Sequence, residues 1–151
     1  MTKSIPSLKE KRDLSGMVDR LIDANLNRLK EGLRVVEDIC RYIHNDKTLT
    51  SSLKIIRHSL QSTYTITRVF CRDTQSDIQK KSIPSEQLRR DITDIVIANF
   101  SRAEESSRVL EEIFKLTDIE ESEKFKAVRY KIYALEKQYL IDYLLPSESP
   151  Q

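Results

Sequence analysis

Arginines and carboxylates recur at helical spacing in two places along this chain. Arg28, Glu31 and Arg34 follow one another at intervals of three, with Glu37 and Asp38 next in line. Arg102, Glu105 and Arg108 repeat the pattern, followed by Glu111 and Glu112. Such spacing puts the side chains within reach of each other on one helix surface, where each ion pair is worth roughly a few tenths of a kcal/mol. The plain reading is therefore a solvated, salt-bridged face. Two features point further, to a polar groove or a second interface. Both copies keep Arg rather than Lys and Glu rather than Asp, and each carries an asparagine, Asn25 or Asn99, inside the helix it disfavours. Shared ancestry of the two copies explains part of that.

Other chemistry-bearing residues are sparse. The sequence has no P-loop, no dinucleotide-binding glycine motif, no zinc-protease helix and no serine nucleophile elbow. His44 and His58 lack metal-ligand spacing. His58 follows Arg57 on a helix expected to face the core, so a packed, hydrogen-bonded imidazole is expected, with general base as the alternative. Cys40 and Cys71 match neither a metal nor a redox pattern and read as buried reduced thiols.

The two polar patterns belong to a longer duplication. Ala24–Ile39 (ANLNRLKEGLRVVEDI) matches Ala98–Ile113 (ANFSRAEESSRVLEEI), 74 residues later. Apolar seams with alternating steps of four and three predict the helices. Ile22, Leu26, Leu29, Leu33, Val36, Cys40 and Ile43 define a helix over 17–44, and Leu49, Leu53, Ile56 and Leu60 one over 48–70, started by Thr48 or Thr50. The β-branched run Thr63–Thr67 lowers propensity there, but packing is expected to override it. Val96, Phe100, Ala103, Ser107, Leu110 and Phe114 define a third helix over 86–116, capped by Ser85 after Pro84. Phe125, Val128, Ile132, Leu135 and Tyr139 define a fourth over 120–144, capped by Asp118 and ended by Pro146. The expectation is all-α: a four-helix bundle of two pseudo-symmetric hairpins. Residues 1–16 read as a loose or partly helical arm, 17–145 as one helical domain and 146–151 as a tail. The connection 72–85 is long enough to suggest function.

Composition bounds the rest. Charged residues make up 33% of the 151 and only two are glycine, which suits helices. A net charge of +2 argues against a nucleic-acid or anionic-membrane partner. No apolar run reaches a membrane span, and the N-terminus lacks a secretory apolar core, so a cytoplasmic protein is expected.

Residues 20–42 (RLIDANLNRLKEGLRVVEDICRY) resemble the opening of the alternative hydroxymethylpyrimidine phosphate kinase family. This small helical domain is often fused to thiamine-phosphate synthase. The likeness continues through LKIIRH at Leu53–His58, Arg72-Asp73-Thr74, Leu88–Glu112, and Arg129-Tyr130 with Leu135-Glu136. It implies a thiamine-pathway kinase, here a stand-alone domain, that phosphorylates 4-amino-5-hydroxymethyl-2-methylpyrimidine phosphate with ATP and Mg²⁺. The family's glycines in the loop after Arg72-Asp73-Thr74 are missing here, which weakens a backbone phosphate cradle. Under this resemblance Asp73, His58 and Glu31 are the catalytic candidates. Asp23, Asn25, Arg28, Arg34, Arg57, Arg72 and Thr74 would bind substrate, and Glu37 and Asp38 would hold the metal. Gly32, Asp23 and His58 have no counterpart at Ser106, Ile97 and Tyr130, which places the substrate nearer the first hairpin. The rival reading is a non-catalytic helical module that dimerises or binds a pathway enzyme. A homo-oligomer is expected either way.

Overall fold

The computed structural model describes residues 4–5, 8–81 and 88–146. Among them there are five helices and no strand: α1 (Leu8–Asp38), α2 (Lys47–Ser59), α3 (Ile66–Val69), α4 (Ile92–Phe114) and α5 (Ile119–Tyr143). The antecedent Pro84–Ser85 cap, the helix start at Glu86 and most of the expected tail lie outside the described residues.

The apolar seams bury as their spacing requires. Leu29, Leu33, Val36 and Cys40 from α1 and the turn after it meet Leu53 and Leu60 and, across the core, Phe100, Ala103, Leu110, Phe125 and Ile132. The main packing runs between α1 and α4, between α4 and α5, and between α1 and α2. Gly32 sits at the closest approach. A Cβ there would lie 2.9 Å from the Asn99 backbone oxygen and 3.5 Å from the Ala103 Cβ. A glycine inside a helix allows close approach of a ligand or of a partner helix, and Gly32 serves the second, at this crossing.

Most element ends other than those of α5 depart from the expectations, each for a local reason. α1 starts at Leu8, not Met17, and so absorbs much of the expected arm; Leu8–Arg12 is made of good helix formers. Its α geometry stops at Asp38, and Ile39–Ile43 form a π turn. The wider turn moves Ile43 off the seam, leaving it exposed, and brings His44 inward. His44 Nε2 lies 2.7 Å from the Tyr139 hydroxyl, and its ring stacks on Tyr143 at 3.8 Å between centroids. Asn45 then takes φ 52°, a left-handed value that asparagine tolerates.

Aspartates start the later helices, Asp118 as expected and Asp46 and Asp91 in place of the expected threonine and serine. Asp46 accepts from Leu49 N, Asp91 from Asp94 N and Asp118 from Glu121 N. The third expected helix therefore begins at Ile92, with Leu88–Arg90 outside it. The second ends at Ser59 rather than 70: a short 3-10 turn (Leu60–Ser62) and an extended Thr65 separate it from α3. Here the β-branched run prevails over packing. Cys40 is buried as expected, whereas Cys71 is only partly so.

Candidate functional site

The segment after α3 returns to α1 through a guanidinium–carboxylate fork. Asp23, 6% exposed on the flank of α1, accepts from Arg72 Nε at 2.8 Å and from Arg72 Nη2 at 2.9 Å. The two parallel bonds fix both groups, and hydrogen bonding to Asp23 raises the Arg72 guanidinium's proton affinity. One turn earlier on α1, Arg20 Nη2 donates to the Asp73 carbonyl at 3.0 Å. A second pin lies nearby, where Arg68 pairs with Asp19 at 3.3 Å and donates to the Thr63 carbonyl at 2.7 Å.

These contacts enclose a cleft of about 130 Å³ lined by Arg20, Asp23, Asn27, Arg72, Asp73, Thr74 and Asp77. The Ser76 amide donates to Asp73 Oδ1 at 3.0 Å, so it is not directed at a ligand. That bond is the first reason the exposed Asp73 carboxyl sits below the usual range. A carboxylate held ionised suits a cation better than it suits proton abstraction. The cleft thus offers guanidinium donors, a threonine hydroxyl and two exposed carboxylates, Asp73 and Asp77, on one side of α1.

The structure brings Asp23, Arg72, Asp73 and Thr74 together, as the sequence suggested, and separates the other candidates from them. Arg57 donates to both oxygens of buried Glu37, at 2.9 and 3.2 Å, while Arg34 lies 3.8 Å from Glu37 and 3.2 Å from Asp38. Arg57, Arg34, Glu37 and Asp38, expected to serve substrate and metal, thus pair with one another apart from the cleft, with Glu37 buried and Arg34 and Asp38 half-exposed; an unpaired Glu37 would be costly. Arg129, Arg108, Glu111 and Glu112 make a matching set, at 2.8, 3.2 and 3.0 Å. Asn25 is buried, and its amide donates to the Leu21 carbonyl at 3.0 Å, so it does not face the cleft as a base reader. His58 is exposed on α2, not packed as expected, and lies outside the cleft lining, as do Arg28 and Glu31 on the exposed face of α1.

Sequence reasoning missed Arg20, Asn27 and Asp77. For the first two a signal was present: positions 20, 23, 24 and 27 share one helical face. Asp77 carried none, because its placement depends on how the loop returns. Among the described residues, no group of three or more His, Cys, Asp or Glu side chains is placed to hold a metal ion. No helix there is long and apolar enough to cross a membrane.

Fold and cleft define an all-helical domain with a charge-lined site rather than a mononucleotide-binding α/β fold. The ThiD2 family profile matches residues 20–138, and the chain belongs to that family. Thiamine-phosphate synthase of Thermosynechococcus vestitus is 42% identical over 119 residues, covering 78% of this chain and 34% of that protein. The synthase of Nostoc punctiforme is 36% identical, covering 87% and 38%, and that of Rhodopirellula baltica 38% identical, covering 80% and 33%. The chain thus spans about a third of the length of these curated relatives. No solved structure matches it.

Proposed function

We propose that this chain acts in thiamine biosynthesis by phosphorylating 4-amino-5-hydroxymethyl-2-methylpyrimidine phosphate to the diphosphate, with ATP as donor. The observation that carries the reading is the Arg20–Asp23–Arg72–Asp73–Thr74–Asp77 cleft in a ThiD2-family chain. Phosphoryl transfer asks a protein mainly for positioning and for positive charge at the transferring group. Arg72, preset by Asp23, and Arg20 supply donors in fixed directions, which lowers the cost of ordering them around a phosphate. The Thr74 hydroxyl gives a further contact. Asp73 and Asp77 fit Mg²⁺, a hard cation that takes one or two carboxylates alongside substrate phosphates and would neutralise phosphate charge there. Glu37 and Asp38 do not fit it, being spent on arginines. In the same proposal the domain is a duplicated helical hairpin closed into a four-helix bundle. Matching pairs Arg57–Glu37 and Arg129–Glu111 support this.

A second reading, a non-catalytic interaction module, draws on the cleft's size. About 130 Å³ is below the ~300 Å³ at which small-molecule sites usually begin, so the loop would have to open for catalysis. A coupled assay of ADP release with ATP, Mg²⁺ and the pyrimidine phosphate separates the two. Turnover is expected, and Asp73→Asn should lower it about 100-fold, an effect of ~2.7 kcal/mol on the barrier, with an unchanged melting curve because Asp73 is exposed. Arg102→Ala should cost less than about 3-fold. No turnover in the wild type favours the module, whereas full turnover in Asp73→Asn would keep the kinase and overturn the role given to Asp73.

A further inference from the structure

One seam between helices stays open. α1 and α4 approach closely at Gly32, whereas α2 and α5 pack far less closely against each other. The gap between α2 and α5 is a groove of about 370 Å³. Ile56 and Val128, each 5% exposed, form its floor with Leu135. Ile55 and Ala134 stand on its walls, and Ile55 is 71% exposed. The rest of the described lining is two serines, Ser52 and Ser59, and Lys131, with no carboxylate. A single exposed isoleucine is ordinary, but one set in an apolar recess marks a surface that another molecule can cover.

The charges on the two flanking helices have one sign. α2 carries Lys47, Lys54, Arg57 and His58 and no carboxylate. On α5 the stretch 124–135 carries Lys124, Lys126, Arg129 and Lys131, and again none. The two arginines are neutralised by buried Glu37 and Glu111. Lys54, Lys126 and Lys131 are exposed and enter no ion pair among the described residues. The whole chain is only +2, so these helices concentrate a charge that the rest of the molecule balances.

That combination selects the occupant. A second copy set on the groove by a two-fold axis would bring the same lysines against each other, which like-charge repulsion opposes. A nucleic-acid duplex matches the sign but offers phosphates where the groove needs an apolar ridge. An anionic bilayer is too flat to follow a recess between two helices. An amphipathic helix meets both demands: its apolar stripe enters the groove and carboxylates on its flanks reach the lysines. The 13 residues of α2 run for ~20 Å, which seats roughly four turns of such a helix. We propose that the α2–α5 groove docks an acidic amphipathic helix of a partner protein, its apolar stripe on Ile55 and Leu135 and its carboxylates at Lys131. The groove shares no residue with the Arg72 cleft, and the proposal does not rest on the kinase reading.

The probe is a fluorescein-labelled synthetic peptide of about 18 residues, with leucines at alternating steps of three and four and glutamates on both flanks, titrated into the full chain and read by anisotropy. Binding is expected with a Kd on the order of 10 µM. A peptide of the same composition with its leucines scattered, and one with lysine for each glutamate, should each bind at least about 10-fold more weakly. Ile55→Glu and Lys131→Glu should each weaken binding about 10-fold or more, whereas Lys115→Glu, the same charge change just after α4, should stay within about 2-fold. Both groove residues are exposed, so circular dichroism should show wild-type helicity in both variants, and the two altered peptides test the wild type without any substitution. No binding by the wild type at about 1 mM peptide overturns the proposal. So does equal binding of either altered peptide, or binding unaffected by both groove substitutions. Tighter binding to phosphatidylserine vesicles or to a duplex oligonucleotide, lost in the same two variants, also overturns it and assigns the face to a membrane or to nucleic acid.

Discussion

Burial, the neighbouring Glu136 carboxylate and the bond to it push the Glu104 carboxyl up to about 7 from an ordinary 4.5. The sign of its effect on stability follows. The folded state holds this proton more tightly than the unfolded chain does, so the group's contribution is full below about 4.5 and is lost as pH rises through about 7. Glu104→Gln keeps the shape and removes the titration. Against that variant, the wild type should lose on the order of 1–2 kcal/mol between pH 4.5 and pH 7.5, read from urea unfolding at both values. A constant difference between the two proteins across that range would place the proton elsewhere. Cys40 moves the same way for the same reason, its thiol pushed up to about 12 by burial, which leaves it inert as a nucleophile. Residue types alone pointed to Asp23, Arg72, Asp73 and Thr74, which the fold brings to one cleft, and to Arg57 and Glu37, which it pairs with each other away from that cleft. The difference is burial: a guanidinium and a carboxylate near a helix interface find each other before they find a ligand, and spacing along one helix does not show which arginine of another helix arrives.

Gly16 and Gly32 lie in the same helix and answer to different neighbours. Nothing stands within 4 Å of a Cβ built on Gly16, whereas one on Gly32 meets the α4 backbone at 2.9 Å. Gly16→Ala should therefore stabilise the protein by about 0.5–1 kcal/mol, through helix propensity and a less free unfolded chain. Gly32→Ala should destabilise it by about 1–3 kcal/mol, because α4 must move. Opposite signs in urea unfolding check the crossing; equal effects would deny it. The seams of α1, α4 and α5 were legible because a packed helix needs its apolar stripe wherever it lies. The ends were not. The π turn at Ile39–Ile43 depends on seating His44 between Tyr139 and Tyr143, residues almost a hundred positions away. The break after α2 was signalled by Thr63–Thr67, and there local propensity outweighed a tertiary reward that the sequence could only assume.

Across the whole molecule, α1 and α4 lie against each other and turn polar surfaces outward. Arg28, Glu31, Arg102 and Glu105 are all exposed there and enter no ion pair among the described residues, although Arg28 and Glu31 had the spacing for one. Val35 and Val109, exposed at 36% and 37%, lie one turn from each Glu31 and Glu105. A two-fold interface must complement itself, and a face with both signs of charge around apolar centres can do so, each arginine meeting a glutamate of the other copy. The expected outcome is a homodimer through this face. Light scattering at tens of micromolar should give twice the 17.7 kDa chain mass. Val35→Glu with Val109→Glu should return it to the single mass while helicity is kept, because neither valine belongs to the core. Arg28→Glu with Arg102→Glu should also dissociate it, and adding Glu31→Arg with Glu105→Arg should restore association, since the reversed charges again pair. A wild type of single mass, or a dimer indifferent to all these changes, would leave the α1–α4 face without this role.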